Sequence, residues 1–128
     1  MKPRILIAAL IACMLSIPAL SETTTNATIT ALLTRPKSEV SGALGTRTNP
    51  VRCDQPSGER AYLRRLRDAN GNAPTFYRVG SYGHGPHGFI LDGYEVTSGT
   101  NKVMVFMDMY HPRFIETNTV PGFTTINK

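Results

Sequence analysis

The sequence predicts a mainly β fold, with an α+β fold as the alternative, in which two hairpins form a small antiparallel sheet of four to five strands. The firmer hairpin joins residues 89–96, which are rich in β-forming side chains, to the hydrophobic run at residues 102–110 through a turn at residues 98–101. The weaker hairpin is marked by Asn70-Gly71, a pair that strongly favours a tight turn between two strands.

The weaker hairpin has an ambiguous first strand. Residues 61–67 carry Tyr62 and Leu66 at a spacing of four, which is typical of a helix. The tight-turn pair follows at once, however, and residues 76–79 then have the composition of a returning strand. We therefore predict a strand at residues 61–67, with a helix as the alternative.

Residues 102–110 are predicted to form the central strand, because they are apolar on both faces. The four-residue turn fixes the register of the firmer hairpin, and it pairs Val96 with Val103, Tyr94 with Val105 and Gly93 with Phe106. We expect the Phe106 ring to lie over the bare backbone of Gly93, which would explain a glycine in the middle of a strand.

Residues 1–21 have the pattern of an export signal. The basic residues Lys2 and Arg4 precede an apolar run at residues 5–15, and small residues follow at Ala19 and Ser21. The run is too short for a membrane-spanning helix, which needs about twenty apolar residues. We therefore expect a periplasmic or secreted bacterial protein.

Three segments follow from this reading. Residues 1–21 are the signal peptide, residues 22–50 a threonine-rich flexible segment, and residues 51–128 a small β-rich domain. An alternative interpretation makes Cys13 the lipidated first residue of an anchored lipoprotein, since Leu10-Ile11-Ala12 precede it. The apolar residues that continue after Cys13 argue against this alternative.

The composition gives weak information about partners. With Lys2 and Arg4 removed in the signal, 12 of the 14 basic residues remain against 9 acidic ones, so the net charge is +3. This charge favours acidic surfaces only slightly, and no basic stripe is interleaved with aromatic residues, which argues against nucleic acid. We expect contact with a membrane only if Cys13 is lipidated.

The three histidines form the candidate metal site. His84 and His87 lie in the glycine-rich loop at residues 83–88, and His111 follows the predicted central strand. The hairpin register brings the end of the loop and His111 to the same end of the sheet. With Asp108, these side chains offer the nitrogen and oxygen ligands that suit zinc or copper. His-x-x-His outside a helix is a weak signal, so we expect no cofactor and keep metal binding as an alternative.

Two arrangements would indicate an enzyme. Asp92 and Asp108 lie inside apolar strands, but the register places them on opposite faces, which argues against a shared active site for two carboxylates. We expect such buried carboxylates to pair with a positive side chain, which could come from Arg64, Arg65, Arg67 or Arg78. Cys53, His111 and Asp108 are the residue types of a cysteine hydrolase. We interpret Cys53 instead as a buried, inert thiol.

Residues 62–123 resemble a group of small exported bacterial proteins of unknown function. The shared features include Tyr62-Leu63, Gly85-Pro86, the segment at residues 92–96, the segment at residues 107–112, and Val120-Pro121-Gly122-Phe123. The resemblance implies export and no particular activity. Some members carry cysteines near the positions of Asp68 and Ser98, so the resemblance implies a disulfide that this chain lacks, and it leaves Cys53 unexplained.

The first functional hypothesis is a non-enzymatic binding protein whose partner is another envelope or secreted protein. Its candidate binding residues are Tyr94, Asp108, Tyr110 and His111, within an exposed patch that includes Phe89 and Phe114. The alternatives are a periplasmic metal-binding protein that uses His84, His87 and His111, and a small hydrolase.

Overall fold

The computed structural model describes residues 37–126, so the predicted signal segment, Cys13 and the first part of the threonine-rich segment lie outside the described residues. The described part is mainly β, as predicted, with one helix. Its elements in chain order are β1 (Val51–Asp54), α1 (Gln55–Arg65), β2 (Leu66–Arg67), β3 (Thr75–His84), β4 (Ile90–Ser98), β5 (Asn101–Asp108), β6 (Tyr110–Ile115) and β7 (Thr124–Thr125).

The main sheet has the strand order β3-β4-β5-β1-β6, so β5 occupies the middle position that the sequence predicts for residues 102–110, but it ends at Asp108 and Tyr110 begins β6. Its pairs are antiparallel except one: β1 runs parallel to β5, which corrects the prediction of a purely antiparallel sheet. Hairpin signals report only pairs of strands that are neighbours in the chain, and β1 and β5 are far apart in it. A second, smaller sheet pairs β2 with β7.

The predicted strand at residues 61–67 is wrong, because Gln55–Arg65 form helix α1. Glu59, Tyr62 and Leu63 are buried on one side of this helix, so packing on the sheet decides a segment whose local pattern was ambiguous. Asn70-Gly71 still form a turn, with Gly71 at φ 81°, but the two-residue strand before it pairs with β7. The weaker hairpin is therefore not formed.

The firmer hairpin is confirmed as β4 and β5, with the predicted register at all three pairs. The ring that covers Gly93, however, belongs to Tyr82 of β3 and not to Phe106. A Cβ atom on Gly93 would lie 2.6 Å from Cδ2 of Tyr82, so only glycine fits there. Phe106 instead contacts the Tyr82 ring edge to face, with 5.1 Å between the ring centroids.

The hydrophobic core lies between α1 and one face of the main sheet. Its buried residues are Val51, Cys53, Tyr62, Leu63, Leu66, Tyr94, Val96, Val105, Met107 and Val120. Leu44 packs against this cluster, and the carbonyl of Gly45 accepts a 2.8 Å hydrogen bond from the Phe106 amide. Residues 44–50 therefore belong to the packed domain, although the prediction begins that domain at residue 51.

The two positions at which the resemblance implies cysteines are in contact. The Ser98 hydroxyl donates a 2.6 Å hydrogen bond to Oδ2 of Asp68, across the gap between the turn at residues 68–72 and the end of β4. The Asp68 carboxylate also accepts hydrogen bonds from the backbone amides of Asn70 and Asn72. Polar contacts therefore join these two segments in this chain.

Candidate functional site

The two faces of the main sheet differ in chemistry. Helix α1 covers the face that carries Val51 and Met107, which are fully buried in the core. Side chains alternate along β1, so Arg52 points to the other face together with its register partner Asp108. We call the face covered by α1 the helix face. We call the opposite face the histidine face, because His111 lies beside Asp108 on it.

His87, Asp108 and His111 converge on the histidine face. The atoms that could bind a metal ion, one from each residue, all lie within 4.8 Å of one another. The imidazole rings of His87 and His111 are 4.9 Å apart and nearly perpendicular. The predicted meeting of the glycine-rich loop with His111 is therefore found, with Asp108 as the third member.

Two atoms of this cluster are buried without a hydrogen-bond partner among residues 37–126. They are Oδ2 of Asp108 and Nε2 of His111, which lie 3.0 Å apart. This distance is short enough for an ion pair, but the angles are outside the range of a hydrogen bond, so neither atom satisfies the other. The remaining oxygen of Asp108 accepts a 3.2 Å hydrogen bond from the backbone amide of Tyr110.

The loop that carries His87 is held by its glycines. Gly85 packs so closely on Leu91 that a Cβ atom would lie 2.9 Å from the Leu91 Cγ atom, and the Gly88 amide donates a hydrogen bond to the Gly85 carbonyl. Burial lowers the pKa of His87 below its usual value, and electrostatic interaction with the His111 imidazole lowers it further. The neutral imidazole is therefore favoured.

His84 does not join this cluster. It is the last residue of β3, is exposed, and pairs with Ile90 in the ladder between β3 and β4. The cluster contains His87, His111 and Asp108 as predicted, and the structure corrects only the inclusion of His84 in the metal set.

Aromatic side chains extend from His111 in both directions. The rings of Phe89 and Tyr110 stack at 5.2 Å, and they are 38% and 44% exposed. The Phe114 ring lies 6.3 Å from His111, and the Arg52 guanidinium lies 4.0 Å from the centre of the Phe114 ring. We call these five residues, Arg52, Phe89, Tyr110, His111 and Phe114, the aromatic surface.

The four candidate binding residues have different positions. Tyr110 and His111 belong to the aromatic surface, and Asp108 is completely buried beneath it. Tyr94 is on the helix face, only 4% exposed, where its hydroxyl donates a 2.8 Å hydrogen bond to Oε2 of Glu59. Tyr94 is therefore a core residue, which corrects its prediction as a binding residue.

The residues of the two enzymatic arrangements, the carboxylate pair and the cysteine hydrolase, do not come together in the described structure. Asp92 pairs with Met107 and so lies on the opposite face from Asp108, as the register predicts, and Arg78 binds both of its carboxylate oxygens at 2.7 Å. Cys53 belongs to the core on the helix face, away from His111. Burial raises the pKa of its thiol to about 12, which disfavours the thiolate.

Glu59 is a buried carboxyl group that sequence reasoning missed. It is fully buried on the side of α1 that faces the sheet, and its Oε1 atom has no hydrogen-bond partner within the described part of the chain. Burial raises its pKa to about 7, although the hydrogen bond from Tyr94 opposes the shift. Glu59 lies three residues before Tyr62, so the helical alternative for residues 61–67, extended by one turn, would place it on the same buried side.

No known protein family, curated protein or solved structure matches this chain. Among the helices of residues 37–126, none has the length and apolar character that a membrane span requires.

Proposed function

We propose that this chain is an exported, non-enzymatic binding protein that contacts another envelope or secreted protein through the aromatic surface. The observation that carries this proposal is the stacked pair of Phe89 and Tyr110, which remains substantially exposed although both rings are large and apolar. Burying such rings against a partner removes apolar area from water and is favourable by about 25 cal/mol per Å².

The composition of the aromatic surface also supports a protein partner. Aromatic and arginine side chains are enriched at the centres of protein interfaces, where they account for much of the binding energy. Here Arg52 lies over Phe114, and His111 links that pair to the Phe89–Tyr110 stack. Mutual packing restricts these side chains before binding, which lowers the entropy cost of ordering them in a complex.

The class of partner follows from the export signal that the sequence predicts at residues 1–21. An exported chain meets envelope or secreted proteins. The non-enzymatic character rests on the separation of the reactive groups, since Arg78 binds Asp92 and the Cys53 thiol is buried on the helix face.

The experiment is photo-crosslinking in cells that export the chain from its own signal. A photoreactive phenylalanine analogue replaces Tyr110 in one variant and Tyr77 in the control. Tyr77 is a suitable control because it is also exposed, at 56%, but lies on the edge strand β3, at the opposite edge of the sheet from β6.

We expect a discrete protein adduct from position 110 and not from position 77. Adding Phe89→Ala should weaken the adduct, because loss of an interface residue of this kind costs at least about 1 kcal/mol, roughly fivefold in affinity. Identical adducts from both positions, or an adduct at position 110 that is insensitive to Phe89→Ala, would contradict the proposal.

A further inference from the structure

The unsatisfied atoms of Asp108 and His111 are the most unusual feature of the histidine face. Native proteins hydrogen-bond nearly all buried polar atoms, and a buried one without a partner costs about 1 to 3 kcal/mol. Here two such atoms lie side by side, 3.0 Å apart, and a ligand atom of His87 lies within 4.8 Å of one ligand atom of each of these residues. A shared ligand would satisfy all three side chains together.

We propose that His87, Asp108 and His111 bind a divalent transition-metal ion, with zinc as the best-suited ion. Zinc binds imidazole nitrogen and carboxylate oxygen at about 2.0 to 2.2 Å, so two ligands of a tetrahedral ion lie about 3.4 Å apart. The Asp108–His111 spacing of 3.0 Å is slightly below this value and every other ligand spacing is at most 4.8 Å, so a small movement of the His87 loop would bring all three ligands to zinc-binding distance. Three protein ligands leave a fourth position for water or for a ligand atom of a partner.

The chain positions these ligands before metal binding. Asp108 ends the central strand β5, His111 is the second residue of β6, and the Tyr110 amide holds the other Asp108 oxygen. An outer hydrogen bond of this kind orients a ligating carboxylate. His87 is the one ligand of the three that borders a cleft of about 410 Å³ among the described residues.

The charge around the site sets a limit on its affinity. Asp108 supplies one negative charge, while Arg52 lies on the same face and repels a cation. The contact of Arg52 with Phe114 holds the guanidinium against the ring. We therefore expect a site weaker than a closed structural zinc site with four protein ligands.

The test is a zinc titration of the untagged, exported chain, followed by NMR of the imidazole nitrogen resonances. We expect one zinc ion per chain, with shifts of the His87 and His111 resonances and none of His84. The variants His87→Ala and His111→Ala should each weaken zinc binding by at least about tenfold, since even changes in the second shell of a metal site have effects of this size.

The matched control is His84→Ala, which removes a histidine three residues from His87 that lies outside the cluster. It should bind zinc as the wild type does. His87 lies in a loop, so His87→Ala tests the site without a change in the core. No stoichiometric zinc binding by the wild type, or an equal loss in His84→Ala and His87→Ala, would overturn the proposal. The titration requires no partner protein, so its outcome is independent of the crosslinking result.

Discussion

The helix face and the histidine face of the main sheet differ in how their buried polar side chains are paired. On the helix face, Arg78 binds both oxygens of Asp92 and the Tyr94 hydroxyl donates to Oε2 of Glu59, so that within residues 37–126 only Oε1 of Glu59 lacks a partner there. On the histidine face, Asp108 and His111 lie 3.0 Å apart without satisfying each other. The first arrangement is typical of a face that stabilises the fold, and the second of a face that binds a ligand.

The largest expected effect is on the helix face. Val105→Asp would place an unpaired charge at the centre of the core, where Val105 is 1% exposed, and should unfold the domain at a cost of about 4 kcal/mol or more. Circular dichroism and thermal melting would measure this. Val79→Asp is the control, because Val79 is 47% exposed on β3 and should cost less than about 1 kcal/mol. A soluble Val105→Asp protein with the wild-type melting temperature would contradict the fold.

The next effect is the pH dependence that Glu59 gives to the stability of the helix face. Its pKa is about 7 in the folded chain against 4.5 as the ordinary value, so the folded state binds the proton more tightly. The contribution of Glu59 to stability is fully present below pH 4.5 and is lost as the pH rises through about 7, by about 3 kcal/mol.

Glu59→Gln should remove that pH dependence, because the side chain no longer ionises. Urea unfolding of the variant and the wild type at several pH values between 4.5 and 8 measures the difference between them. The wild type should lose stability relative to Glu59→Gln as the pH rises. A constant difference over this range would show that the Glu59 carboxyl has an ordinary pKa.

A smaller effect is expected from the hydroxyl of Tyr94. Tyr94→Phe keeps the ring in the core but leaves both oxygens of Glu59 without a donor, and should cost about 1 to 2 kcal/mol. Chemical unfolding of Tyr94→Phe measures this cost. The phenylalanine ring also preserves the contact with Phe76, since the ring centroids of Phe76 and Tyr94 lie 6.4 Å apart. A variant that loses partner binding with unchanged stability would return Tyr94 to the binding residues.

The smallest effect on stability is expected on the aromatic surface. Tyr110→Ala removes a ring that is 44% exposed and should change the free energy of unfolding by less than about 1 kcal/mol, which is the size of a single aromatic stacking contact. Thermal melting checks this. Unfolding of Tyr110→Ala would mean that the Phe89–Tyr110 stack is part of the structural core.

The sequence predicts the parts of this fold that depend on local chain neighbours. The turn at residues 98–101 and the alternation on each side of it determine the β4–β5 register, and that register places Asp92 and Asp108 on opposite faces. The same register brings the loop of His87 close to His111. These results need no knowledge of distant contacts.

The remaining features depend on contacts between distant segments. Tyr62 and Leu66 fit a helix or a strand, and only docking on the sheet decides for α1. The parallel pairing of β1 with β5 has no local signal, and neither does the Tyr82 ring over Gly93. For the site, the exclusion of His84 from the cluster depends on the position of the loop, and the burial of Tyr94 depends on the position of the helix.

One measurement tests most directly the claim that Asp108 serves binding and not stability. It is the free energy of unfolding of Asp108→Asn, determined with urea in a metal-free buffer. Asparagine retains an oxygen for the Tyr110 amide and removes a buried charge that lacks a hydrogen-bonded partner at Oδ2 within residues 37–126. We predict that the variant is as stable as the wild type, or more stable by about 1 kcal/mol. A loss of about 3 to 5 kcal/mol, the cost of breaking a buried ion pair, would show that Asp108 and His111 stabilise the fold and would contradict the account.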